Sequence, residues 1–156
     1  MTRGFWVIAA TVLVAWMLAV LPMPEWAVAF RPEWSLVVLA YWGMAVPRRV
    51  SIGWFWLVGL GLDVLLGTLL GQHALALALV GWVIGRLYLQ IRVFPVWQQA
   101  LVMLTLVALY EFVLFWTDGI SGTRSVIRWQ PIITTAVLWP WAFLLLRQVR
   151  RRFDIS

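Results

Sequence analysis

The chain reads as an all-α, polytopic membrane protein with six transmembrane helices and both termini in the cytoplasm. Three observations predict this. Of its 156 residues, 64% are hydrophobic and the mean hydropathy is +0.94, whereas soluble domains hold about half apolar residues. The apolar residues gather into six runs, most of them near the ~20 residues that a helix needs to cross a bilayer. The basic residues are all arginines, and they mark the ends of those runs rather than forming a patch. Membrane proteins carry positive charge in this way, so the net charge of +6 does not point to nucleic acid. With no cysteine, disulfides and thiolate metal sites are excluded.

The first run spans residues 5–21. Arg3 ahead of it resembles the start of a signal peptide, but the stretch is long. Pro22-Met23-Pro24 also stands where a small-residue cleavage site belongs, so an uncleaved anchor is expected. The second run, 34–46, is short unless it is tilted or starts earlier. The segment from Pro22 to Pro32 before it reads either as a loop or as an element dipping into the interface. The third run, 52–70, and the fourth, 73–89, are joined by a tight Gly71-Gln72-His73 turn and should be antiparallel neighbours. The fifth covers 97–116 and the sixth 131–146. Pro140 inside the sixth predicts a kink, while the other prolines fall at or between run ends. No extramembrane stretch is long enough to bury a core, which makes residues 1–156 a single integral membrane domain.

Orientation follows from the arginines. Arg3, Arg48, Arg49, Arg92, Arg147, Arg150, Arg151 and Arg152 fall at one set of ends, and Arg31, Arg124 and Arg128 at the other. The richer side is cytoplasmic. Arg86, near the cytoplasmic end of the fourth run, can snorkel. Many of the thirteen tryptophans lie near run ends, where half-buried indoles suit the interface. Trp16, Trp42, Trp82 and Trp139 are deeper and should pack between helices or face lipid tails.

The most informative residue is Asp63, within the third run. Gly59, Gly67 and Gly71 flank it at four-residue steps, so a continuous helix would carry them on one face as a groove of bare backbone. The fourth run offers a small face of its own in Ala74, Ala78, Gly81 and Gly85. Two such faces favour close helix packing. A carboxylate in a span costs roughly 2.5–3.5 kcal/mol on insertion scales, and three readings compete for Asp63. It caps or hydrogen-bonds a broken helix, it pairs with a cation, or it carries protons or binds substrate. Glu111 in the fifth run lies at a similar depth. The two acids could share a cavity, although adjacency of their helices is not visible in sequence.

Catalytic patterns are missing. His73, the lone histidine, reads as a turn residue, and no hydrolase triad, zinc or phosphate-loop motif occurs. No enzyme, cofactor or metal is therefore expected. The basic stretch Arg147, Arg150, Arg151 and Arg152 predicts cytoplasmic contacts with anionic lipid, or with an acidic partner as the sharper reading.

Several segments resemble the rod shape-determining protein MreD family. They are Phe30-Arg-Pro-Glu-Trp-Ser-Leu-Val-Val-Leu-Ala-Tyr-Trp42, Ala45-Val-Pro-Arg-Arg-Val50, Gly59-Leu-Gly-Leu-Asp-Val-Leu-Leu-Gly-Thr-Leu-Leu-Gly71, Trp97-Gln-Gln-Ala-Leu101 and Leu138-Trp-Pro-Trp-Ala-Phe-Leu-Leu-Leu-Arg147. Five weak motifs in order are far more specific than any one of them. The resemblance implies a non-enzymatic scaffold of the bacterial inner membrane in the cell-elongation machinery. Its partners would be MreC as the direct one, with MreB filaments, RodA and penicillin-binding protein 2 in the same complex. It further implies a fold similar to the substrate-binding membrane subunits of energy-coupling-factor vitamin transporters. Gly59, Asp63, Gly67 and Gly71 match the family's glycine–aspartate signature, and Arg31 and Pro32 its loop motif. The rival reading, from the two deep acids, is a small-molecule or lipid carrier with Asp63 and Glu111 lining an intramembrane cavity.

Overall fold

The computed structural model describes residues 2–122 and 128–155; Arg124, counted above for orientation, lies outside them. The described residues form seven helices: α1 Thr2–Val20, α2 Glu25–Val28, α3 Trp34–Ala45, α4 Ile52–Leu66, α5 Gln72–Val93, α6 Val96–Ile120 and α7 Gln130–Arg152. Four of them, α1, α5, α6 and α7, are long and apolar enough to cross a membrane. The six apolar runs read from sequence are thus four long helices and two shorter apolar ones, the short second run among the latter.

The differences have local causes. α3 ends where Val46 leaves helical geometry, one residue before Pro47, a position that disfavours helix. α4 stops at Leu66 because Gly67 takes φ 67°, a left-handed helix terminus. The run 52–70 is therefore not one helix, and Gly67 and Gly71 leave the face that Gly59 and Asp63 occupy. α5 begins at Gln72, which places His73 in its first turn rather than in a loop. α7 continues to Arg152 and takes the basic stretch into the helix. The segment left open between loop and interfacial element contains the single turn α2. Pro140 sits inside α7 and removes one helical donor there.

α3 is apolar on all sides and is the centre of the packing, as such a helix must be. Ten of its twelve residues are buried, and α1, α4, α5 and α7 all rest on it. Phe55 of α4 is held between Gly43 of α3 and Gly81 of α5; a Cβ at Gly81 would come within 2.6 Å of its ring. Trp42 and Trp139 are fully buried between helices. Each has a partner for its indole N–H, Thr11 Oγ1 for Trp42 and Gln99 Oε1 for Trp139. Trp16 lies over Gly61, whereas Trp82 is half exposed. The outer faces of α1, α4, α5, α6 and α7 expose leucine, valine and tryptophan.

The molecule has two distinct ends. Gly4 packs against Arg49 and Ile155, so both termini and the α3–α4 connection share one of them, called here the terminal end. The α4–α5 turn and the start of α3 lie at the other, the distal end.

Candidate functional site

The distal end holds a polar cluster built from α3, α4, α5, α6 and the segment before α7. Its first half is the α4–α5 turn. Gly59 lets α5 lie directly on α4, since a Cβ there would come within 2.4 Å of the Ala74 Cα. That closeness brings the short Asp63 side chain to the first turn of α5. Its Oδ1 accepts from the His73 backbone N–H at 2.9 Å and from Thr68 Oγ1 at 2.9 Å. Its Oδ2 accepts from the Gly71 N–H at 2.8 Å, with the Ala74 N–H at 3.5 Å. His73 Nδ1 lies 2.8 Å from Oδ1, which makes Nδ1 the protonated ring nitrogen.

These are the amides a helix leaves without partners at its start. The N-cap of α5 is Gly71, at φ 98°, which has no side chain to offer. Asp63 supplies the missing acceptor from the preceding helix, and its negative charge sits favourably at the positive end of α5. Asp63 is thus three residues from the end of its helix, and it is buried.

The second half gathers around Glu111 of α6. Arg128 Nη2 lies 3.3 Å from Glu111 Oε1 and 3.6 Å from Glu33 Oε1, so one guanidinium serves two carboxylates. Glu33 is also the N-cap residue of α3, and its backbone N–H donates to Thr135 Oγ1 of α7 at 3.1 Å. Burial pushes the Glu33 carboxyl well above the usual glutamate range; the neighbouring Glu111 adds to the rise and Arg128 opposes it. For Arg128, whose side chain is half exposed, partial burial disfavours the charge, but Glu111 and Glu33 outweigh it and hold the guanidinium above its ordinary value.

The two halves meet through α5, which packs against both α4 and α6. The His73 ring stands 6.1 Å from that of Tyr110, the buried neighbour of Glu111. Gln72 Nε2 donates to Asp118 Oδ1 at 2.6 Å and ties the start of α5 to the end of α6. Asp63 and Glu111 thus belong to one region without touching each other.

The remaining residues singled out in sequence lie elsewhere. The Arg31 guanidinium donates to the Ala19 and Leu21 carbonyls and closes the end of α1; Pro32 beside it is buried. Gly85 has nothing within 4 Å of a Cβ position, unlike Gly81. Arg147, Arg150, Arg151 and Arg152 occupy the last turns of α7 at the terminal end.

Glu33, Arg128, Thr68 and Tyr110 were missed as site residues. Glu33 stood in the resembling segment beside Arg31, and Arg128 was counted only for orientation. In a chain with six carboxylates, an acid bordering an apolar run is itself a signal that a cation must meet it.

The family model described as rod shape-determining protein MreD matches residues 2–149. Rod shape-determining protein MreD of Haemophilus influenzae is 36% identical over 142 residues, covering 87% of this chain and 87% of that protein. No solved structure matches.

Proposed function

The chain belongs to the MreD family of rod shape-determining proteins, and on that premise we propose that it is a non-enzymatic, multi-pass scaffold of the inner membrane. In this reading α1 and α3 to α7 are six spans with the termini in the cytoplasm, arranged like the substrate-binding subunits of energy-coupling-factor transporters. The scaffold links MreC, MreB filaments and the synthases RodA and penicillin-binding protein 2. The observation that carries the reading is a family match running over nearly the whole chain.

Two structural features support it. The carboxylates that a carrier would present to cargo are engaged within the chain, Asp63 with the α4–α5 turn and Glu111 with Arg128. An apolar groove of about 390 Å³ runs between α1 and α7 over α3, with Val14, Leu18, Val37, Leu145 and Val149 among its walls. Packing of a single apolar span, such as that of MreC, would follow the rule that membrane helices associate by close contact.

Depletion in a rod-shaped bacterium tests the function: cells should round up, and cells that stay rods overturn it. Purification from native membranes in mild detergent tests the mechanism, with MreC expected to co-purify. Transport of a small molecule that is abolished by Asp63→Asn while MreC stays bound would instead establish a carrier.

A further inference from the structure

Three arginines converge on one cavity at the terminal end. It measures about 160 Å³, and its walls include Tyr41 of α3, Arg92 of α5, Gln99 of α6, and Phe143, Arg147 and Arg150 of α7. The walls are built rather than incidental. The Gln99 amide is fully engaged, donating to the Ile91 and Phe94 carbonyls and accepting from Trp139 Nε1. Tyr41 is buried, with its ring against Phe143 at 5.6 Å. Arg92 and Arg147 are exposed, so the cavity opens to its surroundings through them.

Charge is unbalanced here. The ion pairs among the described residues that hold an arginine are Arg128–Glu33 and Arg128–Glu111, both at the distal end, where Asp63 also meets the His73 ring. No described carboxylate pairs with Arg92, Arg147 or Arg150. Arg150 donates through Nε to the Ile155 carbonyl, while Arg92 and Arg147 make no side-chain hydrogen bond to a described residue.

Arginines at helix ends ordinarily answer the helix dipole and the last carbonyls, as Arg31 does for α1. Arg92 and Arg147 bond no carbonyl and border the cavity instead. Like charges around one small space repel, and a single anion between them reverses that sign. Planar guanidinium forks match phosphate oxygens, and basic pockets between membrane helices at headgroup depth take lipid phosphates.

We propose that Arg92, Arg147 and Arg150 form a binding site for a phosphate ester, carried by an anionic membrane phospholipid. The site stands independently of the scaffold reading and of which leaflet faces the terminal end. Soluble phosphate shares the chemistry, so the test separates the two sources.

Native mass spectrometry and thermal unfolding of the detergent-solubilised protein would be run with phosphatidylglycerol, zwitterionic phosphatidylcholine or inorganic phosphate added. Phosphatidylglycerol should stay bound and raise the Tm, and phosphatidylcholine should not. The Arg92→Gln/Arg147→Gln variant should weaken phosphatidylglycerol binding by about ten-fold or more, as expected for loss of charge-assisted hydrogen bonds. Arg3→Gln/Arg48→Gln, two exposed arginines at the same end and outside the cavity walls, should leave it unchanged. Arg92→Lys/Arg147→Lys keeps the charge, loses the forks and safeguards folding; it too should bind more weakly. Protection by inorganic phosphate alone, lost in the cavity variant, keeps the site and assigns it to a soluble phosphate ester. Equal weakening by the cavity variant and the Arg3→Gln/Arg48→Gln control, wild-type binding by the lysine variant, or no response of the wild type to either anion overturns the proposal.

Discussion

Asp63 and His73 are joined twice. One carboxylate oxygen accepts the backbone N–H of His73 at 2.9 Å and also meets its ring Nδ1 at 2.8 Å. A residue in one helix thereby fixes both the main chain and the side chain of a residue that opens the next. Five residues from 67 to 71 separate the two helices, and none of them supplies a side-chain cap to α5. The stability of this corner therefore rests on the carboxylate.

Replacing that carboxylate tests the point. Asp63→Asn keeps the shape but turns one acceptor into a donor, which must face either the Gly71 amide or the His73 amide. Each buried donor left unpaired costs about 1–3 kcal/mol. The midpoint of thermal unfolding in detergent should fall, and hydrogen exchange should rise at 71–74 before it rises elsewhere.

Glycines in the same pair of helices should respond in opposite directions. Gly59→Ala drives a Cβ into the Ala74 backbone, forcing α4 and α5 apart and lengthening every bond to Asp63; unfolding midpoints should drop. Gly85→Ala meets nothing within 4 Å and gains about 0.5–1 kcal/mol from reduced backbone entropy. Equal loss in the two variants would contradict the packing described.

Glu33 makes stability depend on pH. Its folded pKa is raised, by burial first and by Glu111 second, so the folded state holds this proton more tightly than the unfolded chain. Stability from this group is greatest below its unfolded value of about 4.3 and is lost as pH rises from there through the folded value. Glu33→Gln should flatten that part of the unfolding profile measured across mildly acidic pH.

Arg31 should act locally. Arg31→Ala removes the donors that close α1 at Ala19 and Leu21, at a cost of about 0.3–1 kcal/mol for a partly exposed helix-end charge. Hydrogen exchange should quicken near residues 17–21 and leave α5 and α6 unchanged.

Helices and their order were legible because apolar runs bounded by proline, glycine and arginine leave few other ways to satisfy a backbone in lipid. Helix lengths were not. The run 52–70 is uniformly apolar around Asp63, and nothing in its hydropathy marks Gly67 as the residue that turns left-handed. Asp63 stood out in sequence, yet besides Thr68 and the His73 ring its partners are backbone amides, which carry no signature in the side chains. The Glu33–Arg128–Glu111 group joins residues nearly a hundred positions apart, and only the packing of α3, α6 and α7 brings them together.

The shortness of α4 bears on the membrane around it. Fifteen residues rise only about 22 Å, well under the ~30 Å hydrocarbon thickness, and its outer face exposes Leu57, Val64 and Leu65. If α4 is one of the six proposed spans, hydrophobic mismatch on that side would be met by local thinning of the bilayer or by a turn submerged beneath the headgroups. Submersion is forbidden to a loop with open amides; Asp63 closes those of Gly71 and His73, but those of Leu69 and Leu70 meet no acceptor among the described residues. In the proposed six-span arrangement the bilayer would therefore thin toward this corner, leaving those two amides in reach of water while the carboxylate seals the side turned toward α5.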